Sequence, residues 1–174
     1  MKTEIRLSGS GGQGLILAGV ILAESAILSK LNAVQSQSYG PEARGGASKA
    51  EVIISDEDIN FPKVIESDIL VSLTQKSFDE YSDKIKQDSI IIIDESITID
   101  NTKTTRIYKL PILKSASEIM EKGMSANIVT LGIIAQVIKD INQDALKKSI
   151  DKRVPRGTEE INLKAFDVGY SMKI

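Results

Sequence analysis

The residues best placed to do chemistry in this chain are the glycines at 9, 11 and 14, within Gly9-Ser10-Gly11-Gly12-Gln13-Gly14. Their spacing is that of a phosphate-binding fingerprint, in which glycine allows a tight turn, close approach of a ligand to backbone, and close packing of helix on strand. The run lies between apolar Ile5-Arg6-Leu7 and the apolar-periodic segment Leu15 to Leu28, so it reads as strand, loop, helix. Backbone N–H groups of the first helical turn, with the positive end of the helix dipole behind them, favour a phosphate, a carboxylate or a partner's acidic group. Gly9, Gly11, Gly12, Gln13 and Gly14 are therefore candidate binding residues. Gln13 is expected to hold its amide where an anion or a neighbouring subunit would sit, and Gly14 to let helix approach strand. A nicotinamide site would also need an Asp or Glu about 20 residues further on to read the ribose. The second strand instead reads Asn32-Ala33-Val34-Gln35, and Glu24 lies inside the helix on its expected solvent face. An NAD enzyme is thus disfavoured, while a tight turn without a ligand stays open for the glycines alone.

A second glycine-rich loop follows the second strand: Ser38-Tyr39-Gly40-Pro41-Glu42-Ala43-Arg44-Gly45-Gly46-Ala47-Ser48. Loops leaving the carboxyl ends of neighbouring strands line one crevice in an open parallel sheet, so the two loops are expected to meet. Tyr39 supplies an aromatic face, Arg44 a planar cation able to pair bidentately with a carboxylate or phosphate, and Glu42 could orient it. The alternative is that Pro41 and the glycines merely shape a turn and Arg44 is solvated.

These loops must be positioned by the elements around them. Strands are expected at about 4–8, 32–36, 47–55, 68–73, 89–93 and 107–110, with the 47–55 strand able to pair antiparallel. The runs at 68–73 and 89–93 are continuously apolar, as in strands buried on both faces. Helices are expected over Leu15 to about Lys30, 77–86, 127–141, 143–152 and 159–171. The alternation implies an α/β fold: one domain over residues 1–174, built on a doubly wound, mostly parallel, Rossmann-like sheet with a helical C-terminal portion.

Taken together, the segments resemble the gamma subunits of the 2-oxoacid:ferredoxin oxidoreductases. The resemblance is carried by Ile5 to Gly14, by Ser38 to Gly46, by Val52-Ile53-Ile54 with Ser55-Asp56, Ile59 and Pro62, by Asp68-Ile69-Leu70-Val71, and by Asn127 to Gly132. Asn162, Ala165-Phe166 and Gly169-Tyr170 extend it to the C-terminal helix. The form of the second loop is most like the 2-oxoglutarate type, somewhat like the indolepyruvate type, which stays an alternative, and less like the pyruvate type. The resemblance implies a complex that converts 2-oxoglutarate, coenzyme A and oxidised ferredoxin to succinyl-CoA, carbon dioxide and reduced ferredoxin. It implies that thiamine diphosphate and iron–sulfur clusters sit on partner subunits and that this chain binds no cofactor alone. Coenzyme A enters as co-substrate. The implied partners are alpha and beta subunits, a delta subunit where one exists, and ferredoxin through the complex. Gly9, Gly11, Gly12, Gln13, Gly14, Tyr39, Arg44, Gly45 and Asn127 become the candidates for touching coenzyme A phosphates or an adjoining subunit. A stand-alone nucleotide- or coenzyme A-binding module is the alternative.

Composition agrees with a supporting role. The chain has 174 residues, no cysteine and no histidine, so it offers no thiolate nucleophile, no cysteine-bound cluster and no imidazole base. No catalytic or metal-ligating residue is assigned. With 22 basic and 24 acidic side chains, net −2, it lacks the electrostatic footprint of a nucleic-acid binder. No apolar run is long enough to span a bilayer and no signal peptide is evident, which makes the cytoplasm the expected compartment. Asp94-Glu95 reads as a solvated strand end rather than a metal site, since neighbours on a strand face opposite ways. Lys147-Lys148 and Asp151-Lys152-Arg153 read as a solvated charge cluster. Asn127 reads as an N-cap that could also face the crevice.

Overall fold

Alternating and continuous runs of β-branched residues build the sheet. In the computed structural model, which describes residues 1–37, 47–120 and 125–174, the strands are β1 (Lys2–Gly9), β2 (Asn32–Gln37), β3 (Ser48–Ser55), β4 (Ser67–Ser72), β5 (Ile85–Asp94) and β6 (Ile107–Leu110). The helices are α1 (Leu15–Leu28), α2 (Gln75–Tyr81), α3 (Ile112–Ile119), α4 (Ala126–Val137), α5 (Gln143–Arg153) and α6 (Glu159–Ser171). The strands form one sheet in the order β2-β3-β1-β4-β5-β6. β3 is antiparallel to both β1 and β2, and the remaining pairings are parallel. The mostly parallel α/β architecture expected from the sequence is therefore the observed one.

β3 stands between β1 and β2, so the two strands that lead into the glycine-rich loops are not neighbours. They nevertheless end at the same edge of the sheet, because Gly9 pairs with Ser48 and Gln37 with Ala50. Several boundaries differ from expectation. The helix expected over 77–86 spans Gln75–Tyr81, β5 begins at Ile85, and the helix expected over 127–141 spans Ala126–Val137. α3 is an additional helix, whose apolar positions directly follow Pro111.

Side-chain alternation splits the core into two layers. Ile5, Leu7, Val52, Ile54, Ile69, Val71, Ile90 and Ile92 pack against α1 and α3 to α6. Leu70, Ile91 and Ile93 pack with Phe78 and Tyr81 of α2 on the other face. Burying a full aliphatic side chain is worth about 1.5–3 kcal/mol, so both layers hold the sheet.

On the α2 face, Arg6 is 2% exposed. Its Nε donates to Glu51 Oε1 at 2.8 Å, its Nη1 to Lys84 O at 2.9 Å and its Nη2 to Val64 O at 2.7 Å. The guanidinium lies over the Tyr81 ring, 5.3 Å from the centroid. Pairing and hydrogen bonding of this kind are what a buried cation requires.

α4 is apolar all round and crosses α6 through two glycines. A Cβ on Gly132 would collide with Phe166 O, and one on Gly169 with Val129 O. Backbone meets backbone at this crossing.

Candidate functional site

β1 ends in Gly9 and delivers the chain to the sheet edge, where it turns back into α1. Gly14 is the N-cap of α1 and is left-handed, with φ 72° and ψ 18°, and Gly12 also has positive φ, 87°. Glycine takes such angles without the steric cost borne by other residues. Gln13 folds over its own loop: its Oε1 accepts from Ser10 N at 2.8 Å. That position is open to it because Gly9 lacks the Cβ that would strike the same oxygen. Gln13 thus stabilises the loop through its amide oxygen.

Gly14 packs against α4, not against a strand. A Cβ at Gly14 would lie 2.6 Å from Asn127 Nδ2, and that nitrogen donates to Gly14 O at 3.2 Å. The glycine that brings α1 close to the sheet is Gly19, whose Cβ would lie 3.2 Å from Ala50 Cβ. Asn127 is the second residue of α4, and the N-cap is Ser125. Asn127 Oδ1 accepts from Ile128 N at 2.9 Å, so its amide locks the start of α4 to the start of α1. The expected N-cap role is replaced by a bridge that joins Asn127 to the glycine loop.

Asp94 closes the same edge from β5. It is buried; Oδ1 accepts from Ser96 N and Oγ at 3.0 and 2.6 Å, and Oδ2 accepts from Leu113 N at 2.8 Å. It caps α3, whose own N-cap is Pro111 with no hydrogen-bonding side chain. The sequence reading of a solvated strand end is corrected, and the clue lay in the proline. Among the described residues no group of three or more Asp, Glu, His or Cys side chains could hold a metal ion.

The N-termini of α1, α3 and α4 share a character absent from α5 and α6. None of the three has an acidic residue in its first turn or a capping bond from its N-cap side chain. α5 has the Asn142 cap with Asp144, and α6 has Glu159 and Glu160. Among the described residues, the dipoles of α1 and α4, brought together by Asn127, therefore have no acidic residue in their first turns. Gly11 and Gly12 form the outer part of the loop: a Cβ on either would meet nothing within 4 Å. Gly11 also lacks a positive φ, so neither packing nor conformation within the described residues requires glycine there. Tyr39, Arg44 and Gly45 lie outside the described residues. Their anchors do not: Gln37 and Ser48 hold the ends of that loop beside Gly9.

The remaining charged candidates are structural. Lys152 Nζ and Arg153 Nε of α5 pair with Glu24 of α1. Burial opposes ionisation of Glu24, but the hydrogen bonds from Lys152 and Arg153 outweigh it and hold its pKa below the ordinary value. Lys147 pairs with Asp167 at 2.7 Å. The cluster is exposed, as expected of a solvated face, and its ion pairs also link α5 to α1 and α6.

Fold and site together define an α/β subunit with a glycine-loop edge able to receive an anion or a partner. The pyruvate ferredoxin/flavodoxin oxidoreductase family model matches residues 4–172, and the chain belongs to that family. It is 50% identical to the 2-oxoglutarate synthase subunit KorC of Methanocaldococcus jannaschii over 99% of this chain and 94% of that one. A keto/oxoacid ferredoxin oxidoreductase gamma subunit from Geobacter sulfurreducens superposes with TM-score 0.88 at 40% identity, covering 98% and 95% of the two chains. The chain is accordingly a gamma-type subunit of a 2-oxoacid:ferredoxin oxidoreductase. The same fold occurs within a longer chain of the 2-oxoglutarate:ferredoxin oxidoreductase of Magnetococcus marinus, solved with 2-oxoglutarate, coenzyme A and succinyl-CoA bound. There the TM-score is 0.86 at 22% identity, covering 98% of this chain and 30% of that one. No described helix is long and apolar enough to cross a membrane.

Proposed function

We propose that this subunit serves an enzyme acting on 2-oxoglutarate, and that its glycine-loop edge holds the phosphates of coenzyme A. The observation that carries the substrate reading is the 50% identity to a 2-oxoglutarate synthase subunit across nearly the whole chain. The coenzyme A reading is supported by Gly11 and Gly12, where a Cβ would meet no described residue within 4 Å, and by the N-termini of α1 and α4, whose first turns hold no acidic residue. Gly9, Gln13, Gly14 and Asn127 hold that edge in shape, and Tyr39, Arg44 and Gly45 are the further candidates for touching coenzyme A. A phosphate oxygen set against first-turn N–H groups gains charge-assisted hydrogen bonds, and Arg44 would add a bidentate partner.

In this reading the chain positions coenzyme A and leaves bond breaking to other subunits. Thiamine diphosphate there supplies the carbanion chemistry, and iron–sulfur clusters take the two electrons onward to ferredoxin. The partners are alpha and beta subunits, with a delta subunit where one exists, in the cytoplasm. Recovery of the tagged chain from its cell under anaerobic conditions, followed by viologen reduction with a panel of 2-oxoacids, tests the proposal. Coenzyme A-dependent activity highest with 2-oxoglutarate is expected. Activity highest with another 2-oxoacid would overturn the substrate reading, and activity that does not need coenzyme A would overturn the role of the edge.

A further inference from the structure

Strand alternation sends Lys49 and Glu51 of β3 to the α2 face of the sheet, since Ala50 and Val52 enter the opposite core layer. Arg6 of β1 stands directly opposite Glu51 in the register. Tyr81, the last residue of α2, packs over this group, and Lys84 reaches it from the connection between α2 and β5. Three cations therefore gather round one ring: Arg6 Cζ lies 5.3 Å from its centroid, Lys49 Nζ 5.5 Å and Lys84 Nζ 5.0 Å.

Anionic groups do not match them in number. Among the described residues Glu51 is the one carboxylate paired with any of the three, and its Oε1 is shared between Arg6 Nε at 2.8 Å and Lys49 Nζ at 3.3 Å. The acids of β1 and β4 are taken up elsewhere: Glu4 pairs with Lys2 and Lys86, and Asp68 with Lys86. Arg6 directs its remaining donors to the carbonyls of Lys84, Val64 and Ile65. A tyrosine ring attracts cations through its quadrupole without bearing a formal charge, so three positive charges against one negative leave an excess of two. Arg6 is 2% exposed and Glu51 7%, so salt screens this pair less than a surface pair. Lys49 and Lys84 carry the excess to solvent, for the Lys49 side chain is 24% exposed and Lys84 is exposed.

We propose that Lys49 and Lys84, with Arg6 behind them, form a second anion site, on the α2 face, that takes a phosphate group. A phosphate group carries about two negative charges near neutral pH, the amount that cancels the excess. Its several oxygens accept from two ammonium groups at once, and lysine serves such a group as a point charge. The site is separate from the glycine-loop edge, although Lys49 pairs in register with Ser8, one residue ahead of Gly9. It stands whether or not that edge holds coenzyme A.

The test is thermal melting of the full chain in sodium phosphate and in sodium chloride of equal ionic strength. It compares wild type, Lys49→Gln with Lys84→Gln, and a control, Lys148→Gln with Lys164→Gln, which removes exposed charges from α5 and α6. Phosphate at about ten times its Kd should raise the wild-type Tm by about 2–4 °C, and the control should respond alike. The site variant should lose this response, and in chloride it should melt no lower than wild type, because it relieves like-charge crowding. No rise for the wild type would overturn the proposal. A rise that the site variant keeps would do the same, placing the phosphate elsewhere and leaving the glycine-loop edge untouched. Lys84→Met, which keeps the apolar stem on the ring, serves if the double variant does not fold: it should at least halve the rise, and an undiminished rise would again overturn the site. Succinate that stabilises as much as phosphate would overturn the assignment to phosphate. Coenzyme A in place of phosphate separates the sources: a rise lost in the site variant means that the phosphate is one borne by coenzyme A, and any other result leaves free phosphate as the ligand.

Discussion

Glycine does opposite work in two regions of this molecule. In the loop after β1, a Cβ on Gly11 or Gly12 would meet no described residue within 4 Å. At the crossing of α4 and α6, Gly132 and Gly169 are pressed against backbone so closely that no Cβ fits. The first pair stands beside helix N-termini with no acidic residue in their first turns, and the second closes the apolar core. A glycine signature on its own does not separate the two uses. The distinction depends on what an added methyl group would touch, which follows from the tertiary fold.

The comparison is sharpest where it can be broken. Gly169→Val should cost about 3 kcal/mol or more, the upper range for overpacking a dense contact, and thermal melting would read it as a large fall in Tm. A Tm near wild type would mean that α4 and α6 slide apart at no cost, and the two glycine classes would no longer differ. Gly14→Val should come next, at about 2 kcal/mol, because valine is strained at φ 72° and would crowd Asn127. Gly14 therefore belongs with the packed glycines despite its place in the loop. Equal stability of Gly14→Val and wild type in urea would move it to the open class.

Glu24→Gln tests whether its pairing with Lys152 and Arg153 holds α5 to α1. The Glu24 pKa is lowered by Lys152 and Arg153, so the pairing's contribution is present above the unfolded carboxylate value and fades as pH falls through the lower folded one. The variant should be modestly less stable than wild type at neutral pH, and the gap should close on acidification below about pH 4. A gap that persists at low pH would mean that packing, not charge, holds α5 to α1. Gly11→Ala and Arg44→Ala should have the smallest effect on folding, under about 0.5 kcal/mol. Both should raise the KM of the assembled enzyme for coenzyme A while kcat for bound substrate changes less. A large fall in Tm with either variant would return that residue to the structural class.

Much of this was legible in the chain itself. β-branched runs located every strand, β6 to the residue, and α6 was bounded at Glu159 and Ser171. The antiparallel pairing of β3 followed from its alternation. The glycine loop and Asn127 were identified from residue type and context, and the structure joins them. What remained hidden depended on long-range contacts. Asn127 read as a cap because a polar residue ahead of an apolar run usually is one, whereas its partner, Gly14, lies 113 residues away. Asp94 read as exposed because its acceptor role depends on Leu113, and the pairing of the exposed Lys152 was not legible because Glu24 is distant in sequence. Gly19 carries no motif at all, and only its approach to Ala50 marks it as the true contact of helix and sheet.

The buried Arg6 bears on how the chain comes together in time. Its partners Glu51, Val64 and Lys84 lie 45, 58 and 78 residues away, on β3, on the β3–β4 connection and just ahead of β5. A partly assembled sheet would leave a desolvated guanidinium with only some of its acceptors, and an uncompensated buried charge costs several kcal/mol. Intermediates that lack any one segment are thereby penalised, and the half of the sheet carrying β2 and β3 is tied energetically to the half carrying β4 and β5. Unfolding should accordingly be all-or-none, with both halves lost in a single transition.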